Sequence, residues 1–291
     1  MEMIDENKLM QLERKANSPW ARLKRNKTAV IGMVIVIAAV CMAIFAPLLA
    51  PYDPNAMDIS KTFLKPGTPG HILGTDEFGR DLLSRIIYGS RISILVAAGA
   101  TVVGGTIGII LGIIAGYKEG ILDTVIMRLM DGMFAFPFVL LSIVLMTVLG
   151  QGLENVIIAI GIANVPGYAR VARGQVLVVK GEEYCQAVKS LGASDFHLIF
   201  NHIIPNILSP VIVYATMNLA GSIISEATLS FLGLGIQPPT ASWGNILRSG
   251  RDYLLTSPHI ATYSGLAILL AVLGFNLFGD GIRDAFDPKI K

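Results

Sequence analysis

Between Thr28 and Leu49 the chain runs for 22 residues without a single charge. At about 1.5 Å per residue a helix of that length covers the roughly 30 Å hydrocarbon core of a bilayer. Five further apolar stretches follow: Ile92 to Tyr117, a run from beyond Asp123 to about Leu149, Asn155 to about Ala169, Asn206 to about Gly235, and Ile260 to Phe278. Together they predict an all-α polytopic membrane protein with six transmembrane helices. Composition agrees, since 15% of residues are charged and the mean hydropathy is +0.62, whereas soluble domains carry about 25% charge. The net charge of +2 says little about partners, and no nucleic acid is expected among them.

The polar segments divide the chain. Residues 1–27 form a basic tail, expected in the cytoplasm by the positive-inside rule. Its length argues that residues 28–49 are an uncleaved anchor rather than a signal peptide. Residues 50–91 are an external loop, 92–279 a core of five helices that includes a cytoplasmic loop at 180–206, and 280–291 a cytoplasmic tail. This topology puts sixteen of the 23 Lys and Arg residues inside and seven outside.

Several local features carry expectations. In the external loop Asp76 is positioned to cap an interfacial helix in which Phe78, Leu82 and Ile86 recur at helical spacing. Gly104, Gly108, Gly112 and Gly116 stand four apart on one face of the second span, a stripe that lets two helices approach closely in lipid. The stripe reads either as a moving or dimer-forming interface or as static packing. Arg128 and Asp131 are spaced to pair with each other, and Pro137 to kink the third span. Arg170 and Arg173 are expected to snorkel at the inner end of the fourth span. Glu226 lines an external gate or reaches outer water. Trp243 and Tyr253 suit the interfacial aromatic belt or a docking site for a binding protein.

The segment Glu182 to Asn206 is polar although it lies between two apolar runs. Glu182 to Leu191 reads as a short helix stopped by Gly192; Ser194 and Asp195 offer an N-cap for a second, Phe196 to Ile204, ended by Pro205. Two short helices at an angle form a knob that a soluble partner can grip.

This knob resembles the "EAA" loop of ABC importer permeases. Gln186, Ala187, Val188, Gly192, His202, Ile204 and Pro205 stand at its pattern positions, with Gln186 where the family has Glu and with Glu182 and Glu183 just upstream. Gly74-Thr75-Asp76, Gly79-Arg80-Asp81, Ser84-Arg85 and the Phe231 to Asn245 exit resemble permeases of dipeptide, oligopeptide and nickel importers. The resemblance implies a type I ABC importer permease fold and a C-type permease subunit. It further implies a B-type partner permease, two ATPase subunits carrying ATP and Mg, and an extracytoplasmic substrate-binding protein, in a bacterial or archaeal plasma membrane. It places the ATPase-coupling surface on Glu182, Glu183, Gln186, Ala187, Gly192, Ala193, Ser194, Asp195, His202 and Pro205. Peptide is the cargo most frequent in the family; nickel and oligosaccharide systems share the permease type.

The residues themselves supply no power source, because no GxxxxGK[ST] phosphate loop occurs. No cofactor is expected on this chain. A self-powered secondary transporter would show ionisable residues near the midplane, and only Asp131 and Glu226 are candidates. An enzyme is disfavoured because His71, His197, His202 and His259 form no HExxH motif, and Cys41 and Cys185 offer neither a disulfide framework nor a zinc site.

Overall fold

A computed structural model describes residues 19–286, so most of the basic tail and the last five residues lie outside the described part. Helix α1 (Pro19–Arg25) leads into α2 (Lys27–Ile44), whose N-terminus is closed by the Asn26 side chain accepting from the Thr28 and Ala29 N–H groups. Capping of this kind satisfies backbone donors that the first turn leaves open.

The segment between α2 and the next long helix departs from the expected interfacial helix. The next long helix, α3 (Leu82–Lys118), is capped by Asp81, which accepts from the Ser84 N–H at 2.8 Å. Asp76 turns inward instead. Its Oδ1 accepts from the Phe78 and Arg80 N–H groups, while Oδ2 lies 2.7 Å from Arg80 Nε and 3.4 Å from Arg85 Nε. A buried carboxylate held by two guanidiniums and two backbone donors is far better compensated than one at a helix start. Glu77, beside it, has its carboxyl pushed up by burial and by the Asp76 charge. Phe78 therefore precedes the helix, and Leu82 and Ile86 begin a continuous 37-residue helix that includes the second span.

Helices α4 (Gly120–Phe134) and α5 (Phe138–Leu149) meet at 94° across Pro137. The proline breaks the third span outright rather than bending it, consistent with its lost donor and the bias it imposes on the preceding residue. Helix α6 (Leu153–Gly181) follows, then a short α7 (Glu183–Ser190) and α8 (Asp195–Leu198). Next come α9 (Ile204–Phe231), α10 (Trp243–Arg251) and α11 (His259–Phe286). Among the described residues, five helices are long and apolar enough to cross a membrane, and up to six crossings result if α4 and α5 are one broken span.

The glycine stripe sets the central contact. A Cβ at Gly104 would stand 2.5 Å from the Gly161 carbonyl oxygen, one at Gly108 2.6 Å from that of Val165, and one at Gly112 2.5 Å from that of Ala169. Helices α3 and α6 thus pack backbone to backbone. The stripe therefore faces α6 of the same chain. Helix α2 lies antiparallel to α11 by the same device, with Gly32 against Phe278 and Gly281 against Ala29.

Trp243 belongs to the core, not to an aromatic belt. It is buried among Leu82, Ile86, Ile246 and Ile260, and its Nε1 donates to the Ile86 carbonyl at 3.0 Å. Tyr253 packs on Phe63, ring centroids 4.7 Å apart.

Candidate coupling knob and helix-end clamps

The knob is built as two short arms on the ends of α6 and α9. Glu182 occupies the N-cap of α7 and Glu183 its first turn. Gln186 Nε2 donates back to the Gly181 carbonyl at 3.1 Å, which fastens α7 to the end of α6. Ala187 is exposed on α7, and Gly192, at φ +87°, turns the chain. Only glycine adopts that region without a Cβ penalty. The Ala193 N–H then bonds to the Val188 carbonyl, and Ser194 caps α8 by accepting from the His197 N–H.

The second arm differs from the expected helix ended by Pro205. Helix α8 passes through a π-helical turn, Ile199–Ile203, directly into α9, in which Pro205 lies in the first turn. The wider turn, closed by the Ile204 N–H on the Ile199 carbonyl, relieves the clash and missing donor that proline imposes on a regular helix interior. His202 sits half-buried in this turn, its ring 6.2 Å from that of Tyr184.

Beneath the arms, Cys185, Leu198, Ile203 and Ile207 bury their side chains against Ile113, Tyr117, Val176 and Val179. Polar clamps add direction. Asp195 accepts from the Tyr117 hydroxyl at 2.6 Å and from Lys118 Nζ at 2.9 Å. Lys180 Nζ donates to the Tyr117 carbonyl and to Glu119. The sequence reading missed Tyr117, Lys118, Glu119 and Lys180. For Lys118 and Glu119 the signal was the pair of charges in the turn after the second span; Tyr117 and Lys180 carried none.

Asp131 does not pair with Arg128. It meets Arg170 at 2.7 Å, and Arg173 grips Asp123 with two nitrogens at 2.5 and 2.6 Å. Helix α6 continues past both arginines, so they strap α4 to α6 instead of snorkelling at a helix end. Bidentate pairing across helices fixes geometry in a way that a local i, i+3 contact on an exposed face does not.

Glu226 neither lines an open gate nor reaches water. It is fully buried, accepting from Ser93 Oγ at 2.9 Å and Ser230 Oγ at 2.8 Å. Ser93 Oγ also accepts from the Trp243 N–H, and Ser230 Oγ from the Ile236 N–H. The carboxyl thereby joins α3, α9 and the loop that folds back over the Phe231 end of α9.

Among the exposed polar residues of the knob, such as Glu182, Glu183, Gln186 and Lys189, stand large apolar side chains. Leu191 is 88% exposed and Phe196 70%, with the Phe200 ring 4.3 Å from that of Phe196. A grouped apolar surface with a polar surround marks a contact surface for another protein.

Residues 108–291 match the family described as binding-protein-dependent transport system inner membrane component. The chain belongs to this family of ABC importer permeases. Residues 18–66 of the permease match the N-terminal TM domain of oligopeptide transport permease C. Relatives include the glutathione transport system permease protein GsiD of Pectobacterium atrosepticum, 43% identical over 94% of this chain and 90% of the relative. GsiD of Escherichia coli O6:K15:H31 is 45% identical over the same shares. Among solved structures, the inward-facing MetNI methionine ABC transporter aligns with TM-score 0.59 and 16% identity, covering 71% of this chain and 98% of that one. An amino acid ABC transporter crystallised with histidines aligns with TM-score 0.53 and 12% identity, covering 68% and 92%. Fold and relatives are thus those of importer permease subunits in the inner membrane, not of enzymes. Such a permease works with ATPase and substrate-binding partners.

Proposed function

We propose that this chain is the C-type permease of a peptide importer, pairing with a B-type permease to enclose the pathway. Two ATPase subunits, which hold ATP and Mg, dock on the knob formed by residues 182–206, and an extracytoplasmic binding protein delivers cargo from the other face. The observation that carries this reading is the knob itself: an exposed apolar tip on a base clamped to the ends of α3, α6 and α9. A push on the tip is transmitted to three membrane helices without an intervening flexible segment. Asp131 acts in this scheme as part of the α4–α6 strap, and Glu226 as an outer tie.

The cargo is a short peptide. Support comes from the match of residues 18–66 to an oligopeptide permease domain and from relatives named for transport of glutathione, itself a tripeptide. Cells expressing the complete importer are expected to accumulate labelled glutathione or dialanine, each competing with the other. Uptake of nickel or an oligosaccharide with no peptide competition would overturn the assignment.

The chain lies in a bacterial or archaeal plasma membrane with both termini and the knob in the cytoplasm. Leu255, in the connection between α10 and α11, is fully exposed, and Leu191 is exposed on the knob. A cysteine at Leu255 is expected to react with an impermeant thiol reagent in intact cells, and one at Leu191 only after permeabilisation. The reverse pattern would invert the topology. Native Cys185 is buried and contributes little background.

A further inference from the structure

An open cavity of about 1000 Å³ lies between the outer end of α2, the outer end of α3 and the turn at 51–55, away from the knob and from the α3–α6 seam. Its lower wall is apolar, with Val40, Ile44 and Leu95 at the level of the membrane helices. Ile44 and Leu95 are themselves exposed, so this wall opens toward the bilayer. Its upper rim is polar. Arg91 stands on α3 and Asp53 on the turn after α2, with Tyr88 between apolar and polar zones.

Among the described residues, neither charge is met by an opposite one on this rim. Arg80 and Arg85 are both paired with Asp76, whereas Arg91 makes no ion pair among the described residues. The Asp53 carboxylate accepts from the Asn55 N–H, at 2.7 Å, through one oxygen, leaving the second open. A guanidinium at the boundary of an apolar helix is costly unless an anion meets it, and its planar fork suits a phosphate. A purely anionic headgroup would also face the Asp53 carboxylate. A headgroup that carries a phosphate and a primary ammonium answers both charges.

We propose that this cavity binds an outer-leaflet phospholipid with an ethanolamine headgroup, phosphate on Arg91, ammonium on Asp53, and acyl chains running down past Ile44 and Leu95 into the bilayer. The ammonium donates hydrogen bonds to the carboxylate, and the guanidinium donates to the phosphate, both charge-assisted. A volume near 1000 Å³ is at the upper end for small-molecule sites. It accommodates the headgroup, the glycerol and the first part of the chains, with the remainder in the membrane. A lipid held here would sit on α2, the helix added in front of the core that residues 108–291 make up.

The test uses the complete importer, delipidated in mild detergent and returned to vesicles of phosphatidylethanolamine or of phosphatidylglycerol, each doped with its photo-crosslinkable analogue. Labelled peptides are mapped by mass spectrometry. With phosphatidylethanolamine, labelling is expected on peptides covering residues 40–55 and 88–98. Arg91→Gln should reduce it roughly tenfold, the loss of about one charge-assisted contact. Asp53→Asn should reduce phosphatidylethanolamine labelling while leaving phosphatidylglycerol labelling unchanged or higher. Both replacements are of exposed side chains, and an unchanged elution profile of the complex confirms assembly. Equal labelling by the two lipids, labelling indifferent to Arg91→Gln, or protection of these peptides because the second permease fills the cavity would each overturn the proposal.

Discussion

Gly112→Val is expected to eliminate the folded permease, even though the substitution adds only three carbons to an uncharged helix face. The new Cβ would lie 2.5 Å from the Ala169 carbonyl oxygen, 2.7 Å from the Ala172 Cβ and 3.0 Å from the Arg173 N. Two of those three atoms are backbone, so no rotamer change relieves the contact. Overpacking of this kind typically costs about 1–3 kcal/mol where side chains can give way, and more where backbones must part. Separation of α3 from α6 would also pull Arg173 from Asp123, releasing α4. The measurement is the monodisperse peak in size-exclusion chromatography after membrane extraction, expected to fall to background. Gly174→Ala is the control, since it lies on the seam's other helix, α6, with nothing within 4 Å of its added Cβ. That change removes a helix-weakening glycine worth about 1 kcal/mol and should leave the peak intact. Equal recovery of the two variants would mean that the close seam is not what holds the permease together.

The seam was legible in the sequence because lipid removes the ordinary hydrophobic signal and leaves small-residue spacing as the mark of contact. What the spacing did not name was the partner, and α6 carries its own small residues, Gly161, Ala169 and Ala172, at the facing positions. Long-range charge pairing was not legible. Asp131 has Arg128 three residues away and Arg170 thirty-nine away, and local spacing selects the former although the fold brings the latter into contact. The same limit applies to capping: Asp76 and Asp81 are both suitable by type, and burial with Arg80 and Arg85 decides which of them caps α3. Prolines show how context sets outcome. Pro137 breaks a span, Pro166 and Pro210 stay inside helices, and Pro205 follows a π turn that absorbs it. Glu226 lies toward the Phe231 end of α9, away from the knob. Its burial depends on the loop after Phe231 folding back, which no residue near Glu226 announces.

Gly192→Arg is expected to leave the membrane domain intact and to abolish transport. Gly192 has φ +87°, and an added Cβ would meet nothing within 4 Å. The intramolecular cost is therefore only that of a side chain held in the left-handed region, about 1–2 kcal/mol, confined to the turn between α7 and α8. The buried base, Cys185, Leu198, Ile203 and Ile207, is untouched. The effect falls on the outer surface instead. A guanidinium beside the exposed Leu191 and near Phe196 would have to be desolvated for a partner to cover that tip, and a buried unpaired charge costs several kcal/mol. At 1.4 kcal/mol per tenfold, ATPase docking should weaken by a hundredfold or more, roughly. Gly192→Asn separates charge from backbone, because asparagine tolerates the left-handed region and carries no charge. The permease should be recovered from membranes at wild-type level in both variants. ATPase subunits should copurify with the Asn variant but not with the Arg variant, and peptide uptake should follow the same order. Normal copurification and uptake with Gly192→Arg would remove residues 182–206 as the coupling surface, whereas equal failure of both variants would assign the role to the turn's backbone geometry rather than to its apolar tip.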